Sequence, residues 1–287
     1  MPAAPLLLGV NMFENVISNP SFILANQSTD DVAGHEAFHV ADNLRDLTYW
    51  TPAGLNSARV LLADGIASQS PSMVVLDRGH NLAGVAVTIT SYTFSGGNYF
   101  TQASFTSTIP STAGGLPSDA NGCLTVDGAW WKTFSMASAR AWSIGTPAMG
   151  AGIAPIITGV YMGPAYRFPE YMNAPFADDY DTDVQVQVNR VSLGGLRVMT
   201  RKLNYRRLAL TVDLESTEYA AFDAQVRPLL RYGQPWWVCF DDSDATHAGM
   251  LTPFQLAGAV RYQPMANPVH REVRGLDLEE VLPKLWV

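Results

Sequence analysis

A chain of 287 residues is long for a single hydrophobic core, and two domains is the natural expectation. Hydrophobic residues make up 47% and charged residues only 15%, which gives ample material for burial and sets intrinsic disorder aside. The formal net charge of −8 argues against a nucleic-acid binder, which carries a basic stripe; the local exception is the Arg cluster around 197–207.

The start, Met1-Pro-Ala-Ala-Pro-Leu-Leu-Leu-Gly-Val, holds a short apolar run without the positive region of a secretion signal. No segment approaches the roughly 18 uninterrupted apolar residues of a membrane span, so no membrane insertion is expected. Leu6, Leu8 and Val10, then Phe22 to Leu24, read as short strands broken by Asn-Pro and Asn-Gln-Ser turns. Val60 to Ala63 and Met73 to Leu76 are buried runs, each followed by a Gly-bearing turn. Leu82 to Tyr92 alternates at period two with Val85, Val87 and Ile89 on one face, and Phe100 to Ile109 alternates again. Residues 110–122, rich in Pro, Ser and Gly, read as a loop. Trp131 to Ser135, Ala139 to Ile144 and Ile156 to Gly163 complete about eight short strands, the pattern of a β-sandwich or jelly roll.

Thr158 to Phe176 then changes the style of the sequence. An apolar strand runs into three prolines and four aromatics, which reads as a stiff connector. The domain organisation expected is 1–165, a connector at 166–177, and 178–287. Tyr166, Phe168, Tyr171 and Phe176 are the candidates for packing between the domains.

Beyond the connector, Asp178 to Asp183 reads as an acidic loop. Val184-Gln-Val-Gln-Val-Asn-Arg-Val is the cleanest alternation in the chain, and Leu193-Gly-Gly makes a hairpin turn into Arg197-Val-Met-Thr-Arg. Tyr205 to Leu214 is another strand. A helix is expected near 217–232, with Ser216 as N-cap, Glu218 in its first turn, and a kink near Val226 ahead of Pro228. Pro235-Trp-Trp-Val-Cys-Phe is a buried strand, and Leu256 to Tyr262 with Glu272 to Leu278 form a final antiparallel pair. The fold class is mainly β: a jelly-roll sandwich followed by an antiparallel β domain with one packed helix.

The sharpest motif is His35-Glu36-Ala37-Phe38-His39, which fits H-E-x-x-H. On a helix, that spacing puts two imidazoles on one face for zinc, with the glutamate as base. A third ligand is then needed, but the next Glu after Glu36 is Glu170, and positions 42 and 45 are Asp42 and Arg45. Gly34 ahead of the motif and Asp42-Asn43 behind it shorten any helix, so an incidental match is the reading taken. The Asp179 run fails as a calcium loop because Val184 and Arg190 stand where Gly and Glu are required. Five histidines, scattered at 35, 39, 80, 247 and 270, support no Ser-His-Asp site. No catalytic residues, metal or cofactor are expected, and the chain is read as a non-enzyme. Cys123 and Cys239 lie far apart without a CxxC motif; both are expected to be free and buried, which suits a reducing cytoplasm.

Tyr49-Trp50 and Trp130-Trp131 are candidate ligand or interface aromatics, with one ring of each pair inward and one outward. Arg197, Arg201, Arg206 and Arg207, on two adjacent strands of an acidic protein, are a candidate assembly interface.

Two stretches carry a resemblance. His39-Val-Ala-Asp-Asn-Leu-Arg-Asp-Leu-Thr-Tyr-Trp-Thr-Pro-Ala-Gly resembles the opening of galactose-binding-like, discoidin-type jelly rolls. Met73 to Val87, Ala139 to Ile144 and Ile157 to Gly163 look like that family's strand, Gly turn and closing strands. The Gly-Pro-x-Tyr connector and the element order of 178–287 are similar to tail and baseplate proteins of tailed bacteriophages. That resemblance implies a structural virion protein of the tail, assembled in the host cytoplasm. Its C-terminal domain would join copies of itself and other tail proteins, and its sandwich would be displayed. The alternative expectation is a carbohydrate-binding or adhesion protein facing a cell-surface glycan; a zinc-dependent hydrolase is the third.

Overall fold

The computed structural model describes residues 6–8, 11, 23–25, 32–41, 49–52, 59–111, 123–124, 128–150, 152–167, 177–190, 196–215, 217–224, 235–239, 251–256, 261–264 and 270–280. All its described strand pairs are antiparallel, as the mainly β reading requires. The contacts divide the chain into two units. The first comprises Met1–Pro169, Trp237–Thr252 and Pro283–Val287; the second comprises Glu170–Trp236 and Pro253–Leu282. This division differs from a linear split after 165, because Trp237–Thr252 returns to the N-terminal unit.

The first unit is built on two facing sheets. Five strands, β2 (Ile23–Ala25), β3 (Arg59–Gln69), β5 (Ala86–Ser95), β6 (Asn98–Thr108) and β9 (Ala139–Thr146), pair in the order β2-β3-β9-β5-β6. Four more, β4 (Met73–Leu76), β7 (Cys123–Leu124), β8 (Trp130–Thr133) and β10 (Val160–Gly163), pair in the order β10-β4-β8-β7. The period-two pattern explains the core between them. Val87 and Ile89 of β5, and Trp142 and Ile144 of β9, meet Val74 and Leu76 of β4 and Trp130 of β8.

The alternate residues of the four-stranded sheet are buried as well. Met73, Val75, Trp131 and Tyr161 form a second cluster with Leu8, Trp237 and Cys239. Those partners come from β1 (Leu6–Leu8), which pairs with Trp237–Cys239 of β14 (Trp236–Cys239) and with β11 (Tyr166–Arg167). A strand buried on both faces reads as a continuous apolar run, which is what Met73-Val-Val-Leu is. Asn11, itself buried, closes the free edge of β10: its Nδ2 donates to the Val160 carbonyl at 3.0 Å and its Oδ1 accepts from the Met162 N–H at 3.1 Å.

The second unit centres on a long hairpin, β12 (Ala177–Arg190) and β13 (Leu196–Glu215), with β17 (His270–Glu280) beside β13. β16 (Arg261–Pro264) and residues 254–256 of β15 (Leu251–Leu256) pair with β17. The expected pairing of the final segments is present, with Tyr262 opposite Val273. Asp178 to Asp183 is not a loop: it is the first half of β12, in register with Leu203 to Leu208 of β13. Pairing along a long partner strand overrides the turn-like composition of four aspartates. A helix, α1, covers residues 217–224; the expected continuation to 232, with its kink, lies outside the described residues. Phe222 of α1 is buried edge-on against Trp236, with ring centroids 6.4 Å apart.

Candidate functional site

Two ends of the first unit differ in chemistry. At one end β4 runs into the Asp77–Leu82 turn, which is fastened to the segment before β10. Asn81 Nδ2 donates to the Ala154 carbonyl at 2.8 Å, and Asn81 Oδ1 accepts from the Ile156 N–H at 2.8 Å. The Thr158 hydroxyl donates to the Asp77 and Arg78 carbonyls. The Trp50 and Ile157 backbones form a two-way bridge, which brings Tyr49 and the 32–41 segment to the same end.

The H-E-x-x-H match sits here, and its geometry is not that of a zinc helix. Only a short 3₁₀ helix, Ala37–Ala41, follows His35, so His35 lies outside it. The His35 ring stacks on Tyr49 with centroids 3.9 Å apart and planes 17° apart. His39 Nε2 meets Glu36 Oε2 at 3.1 Å instead of sharing a metal-facing side with His35. Among the described residues, no group of three or more His, Cys, Asp or Glu side chains gathers in a way that could hold a metal. Backbone N–H groups of Gly34 and of Glu36 itself hold the Glu36 carboxyl below the usual carboxylate range. His80 is a half-buried titratable group of this end, beside the buried Asp77. Burial pushes its imidazole below the ordinary histidine value, against the opposing pull of the Gly128 carbonyl and the Asp77 carboxylate. Its Nδ1 accepts the Leu82 N–H at 3.2 Å.

The aromatic pairs named from the sequence are mostly core. Trp50 is 1% exposed, Trp130 0% and Trp131 6%. The expectation that one ring of each pair faces outward fails for Trp130-Trp131, because the layer containing β1 and β14 covers the second face. Tyr49 is half-buried under its stack with His35. Of the connector aromatics, Tyr166 is half-buried on β11, opposite Leu7; Phe168, Tyr171 and Phe176 lie outside the described residues. Arg197, Arg201, Arg206 and Arg207 all fall on the single strand β13, not on two strands. Arg207 is exposed and pairs with Glu279, its register partner on β17, at 3.3 Å. Cys239 is a buried thiol outside any disulfide, and Cys123 is on β7 opposite Trp131.

At the other end of the sandwich is a surface that the candidate aromatics did not include. β5 and β6 are joined by a two-residue turn, with Ser95 opposite Asn98 and Gly96 and Gly97 at φ 59° and 84°. Positive φ at both turn residues matches the right-handed twist of the hairpin, and glycine adopts it without strain. The hairpin projects past the core, so the inward-outward pattern of burial ends at Ser91 and everything beyond is half or fully exposed. Aromatics occupy this tip. Phe94 and Tyr99 are 5.0 Å apart, Tyr92 and Tyr99 meet edge-on at 6.2 Å, and the Arg140 guanidinium lies 4.6 Å from the Phe94 ring centroid. The Tyr92 hydroxyl is tied to the Ser143 hydroxyl at 3.0 Å, which fixes that ring.

Phe94 is 39% and Phe100 54% exposed, two of the four exposed large hydrophobic residues among those described; Phe100, opposite Thr93, stands on the other face of the hairpin from Phe94. Around them stand exposed Thr93, Ser95, Asn98, Thr101 and Gln102, and β5 and β6 carry no charged side chain. The sequence signal was present in Tyr92-Thr-Phe-Ser-Gly-Gly-Asn-Tyr-Phe: aromatics flanking a Gly-Gly turn, beyond the last buried position of the alternation.

No protein-family model matches the chain, and no curated protein matches it. Solved structures give looser likenesses. One is chitosan-binding module 1 of a chitosanase/glucanase from Paenibacillus sp. IK-5, 18% identical, covering 53% of this chain and 98% of the module, with a TM-score of 0.38. Another is the family 32 carbohydrate-binding module of NanJ from C. perfringens, solved with galactose, 15% identical over 56% of this chain and 99% of the module, with a TM-score of 0.35. A third is a GH29 fucosidase from Ruminococcus gnavus, 12% identical, of which the match spans 27%, with a TM-score of 0.37. At these scores the functional reading rests on the residues of this chain alone.

Proposed function

We propose that the chain is a non-catalytic carbohydrate-binding protein whose first unit takes a neutral glycan on the β5–β6 hairpin tip. The observation that supports this is the ring cluster of exposed Phe94 with half-buried Tyr99 and Tyr92, in a hydroxyl- and amide-rich surround with Arg140 against Phe94. A sugar ring offers an apolar C–H face and a rim of hydroxyls. Aromatic rings match the first, and Ser, Thr, Asn and Gln match the second. Ring contacts hold Tyr92, Phe94 and Tyr99 together at the tip. Arg140, set against Phe94, holds that ring's orientation.

The virion-tail role expected from the sequence rested on element order and the style of the connector. No described residue specifies it, and the glycan reading takes its place as the conclusion. A glycan array probed with the full chain tests the reading: retention of neutral oligosaccharides is expected, and an array without a hit overturns it.

A further inference from the structure

The edge of the second unit carries an inference independent of the glycan site. β12 pairs with β13 along its whole length, from Ala177↔Ala209 to Arg190↔Leu196, without a register shift. Among the described residues no strand pairs with its other edge. Alternate backbone N–H and C=O groups therefore point away from β13 along a strand of 14 residues, where about 5–6 is typical. Natural edge strands are blunted with charged side chains, proline, bulges or short length. Aspartates guard the first half of Ala177–Arg190, but Val184 to Asn189 has none of these devices.

Its charge is uneven. Asp178, Asp179, Asp181 and Asp183 fill the first half, and Val184-Gln-Val-Gln-Val-Asn is uncharged before Arg190. We propose that β12 pairs antiparallel with β12 of a second copy, about a two-fold axis through the Val184–Asn189 segment. The antiparallel arrangement carries the acidic halves to opposite ends of the shared sheet. A parallel one would set aspartate beside aspartate, which is destabilising. A two-fold pair is also self-complementary and closed, so the edge is consumed without growing a filament.

Sedimentation velocity of the full chain over a concentration series tests this, with Gln185→Lys/Gln187→Lys as the variant, since added lysines blunt an edge. The wild type is expected to form a dimer that dissociates on dilution, and the double variant to associate at least tenfold more weakly. Hydrogen exchange on the wild type alone gives a second readout, independent of how the variant folds. The amides of 184–189 should gain protection as concentration rises. A wild-type monomer at every concentration, a dimer of unchanged strength in the folded variant, or a dimer without protection at 184–189 would each overturn the proposal.

Discussion

Phe94 and Tyr99 are cross-strand partners one pair below the Gly96-Gly97 turn, with rings 5.0 Å apart at the exposed tip of the sandwich. Because the tip lies beyond the core, these rings stabilise little and remain available for a ligand. Phe94→Ala and Tyr99→Ala are each expected to weaken glycan binding about tenfold, equivalent to about 1.4 kcal/mol, while costing under about 1 kcal/mol in stability. Binding isotherms beside thermal melts separate the two effects. A large loss of stability with binding retained would mean that the rings are structural.

The opposite end is tuned for rigidity. Gly79 has φ +89°, and a Cβ built there would lie 2.8 Å from Thr158 Cγ2. Gly79→Ala is therefore expected to destabilise the protein by about 1–3 kcal/mol, combining left-handed strain with the clash. Thr158→Ser removes the clashing methyl and keeps the hydroxyl that bonds the Asp77 and Arg78 carbonyls. In that background the alanine should cost measurably less, and denaturant titrations of the four-member cycle give the coupling. Purely additive losses would show that the contact with Thr158 is irrelevant.

His80 gives a pH dependence with a defined sign. Its folded value lies below the ordinary 6.5, so the unfolded chain binds the extra proton first as pH falls. The stabilisation from keeping this ring neutral is complete above about pH 6.5 and declines as pH drops below that value toward the folded pKa. Melting temperatures between pH 8 and 5 should fall less steeply in His80→Gln than in the wild type. Parallel curves would contradict this assignment.

The His35–Tyr49 stack and the Glu36–His39 pair predict that the H-E-x-x-H segment binds no zinc. Elemental analysis after dialysis should give no stoichiometric zinc, and a chelator should leave the melting temperature unchanged. One tightly held zinc per chain would reverse this reading.

The sandwich was legible where burial has a simple period. Val87 and Ile89 alternate on β5, and Met73 to Leu76 reads as a strand buried on both sides. What escaped the sequence is non-local. Trp130 and Trp131 suggest one inward and one outward ring until Leu8 and Trp237, distant along the chain, supply a layer over the second face. The aspartates of β12 look like a loop until fourteen residues of β13 hold them extended. The hairpin tip had a local signal in its Gly-Gly turn. Its meaning depended on knowing that the core ends at Ser91, which only the packed sheets reveal.

Glycan binding at the tip is tested most directly by calorimetric titration of the neutral glycan best retained on the array, comparing the full-length wild type with Phe94→Ala/Tyr99→Ala and with Tyr49→Ala. Saturable wild-type binding, loss in the double variant at the tip, and no change for Tyr49→Ala at the far end are expected. Equal binding by the wild type and the tip variant, or loss confined to Tyr49→Ala, would contradict binding at the tip.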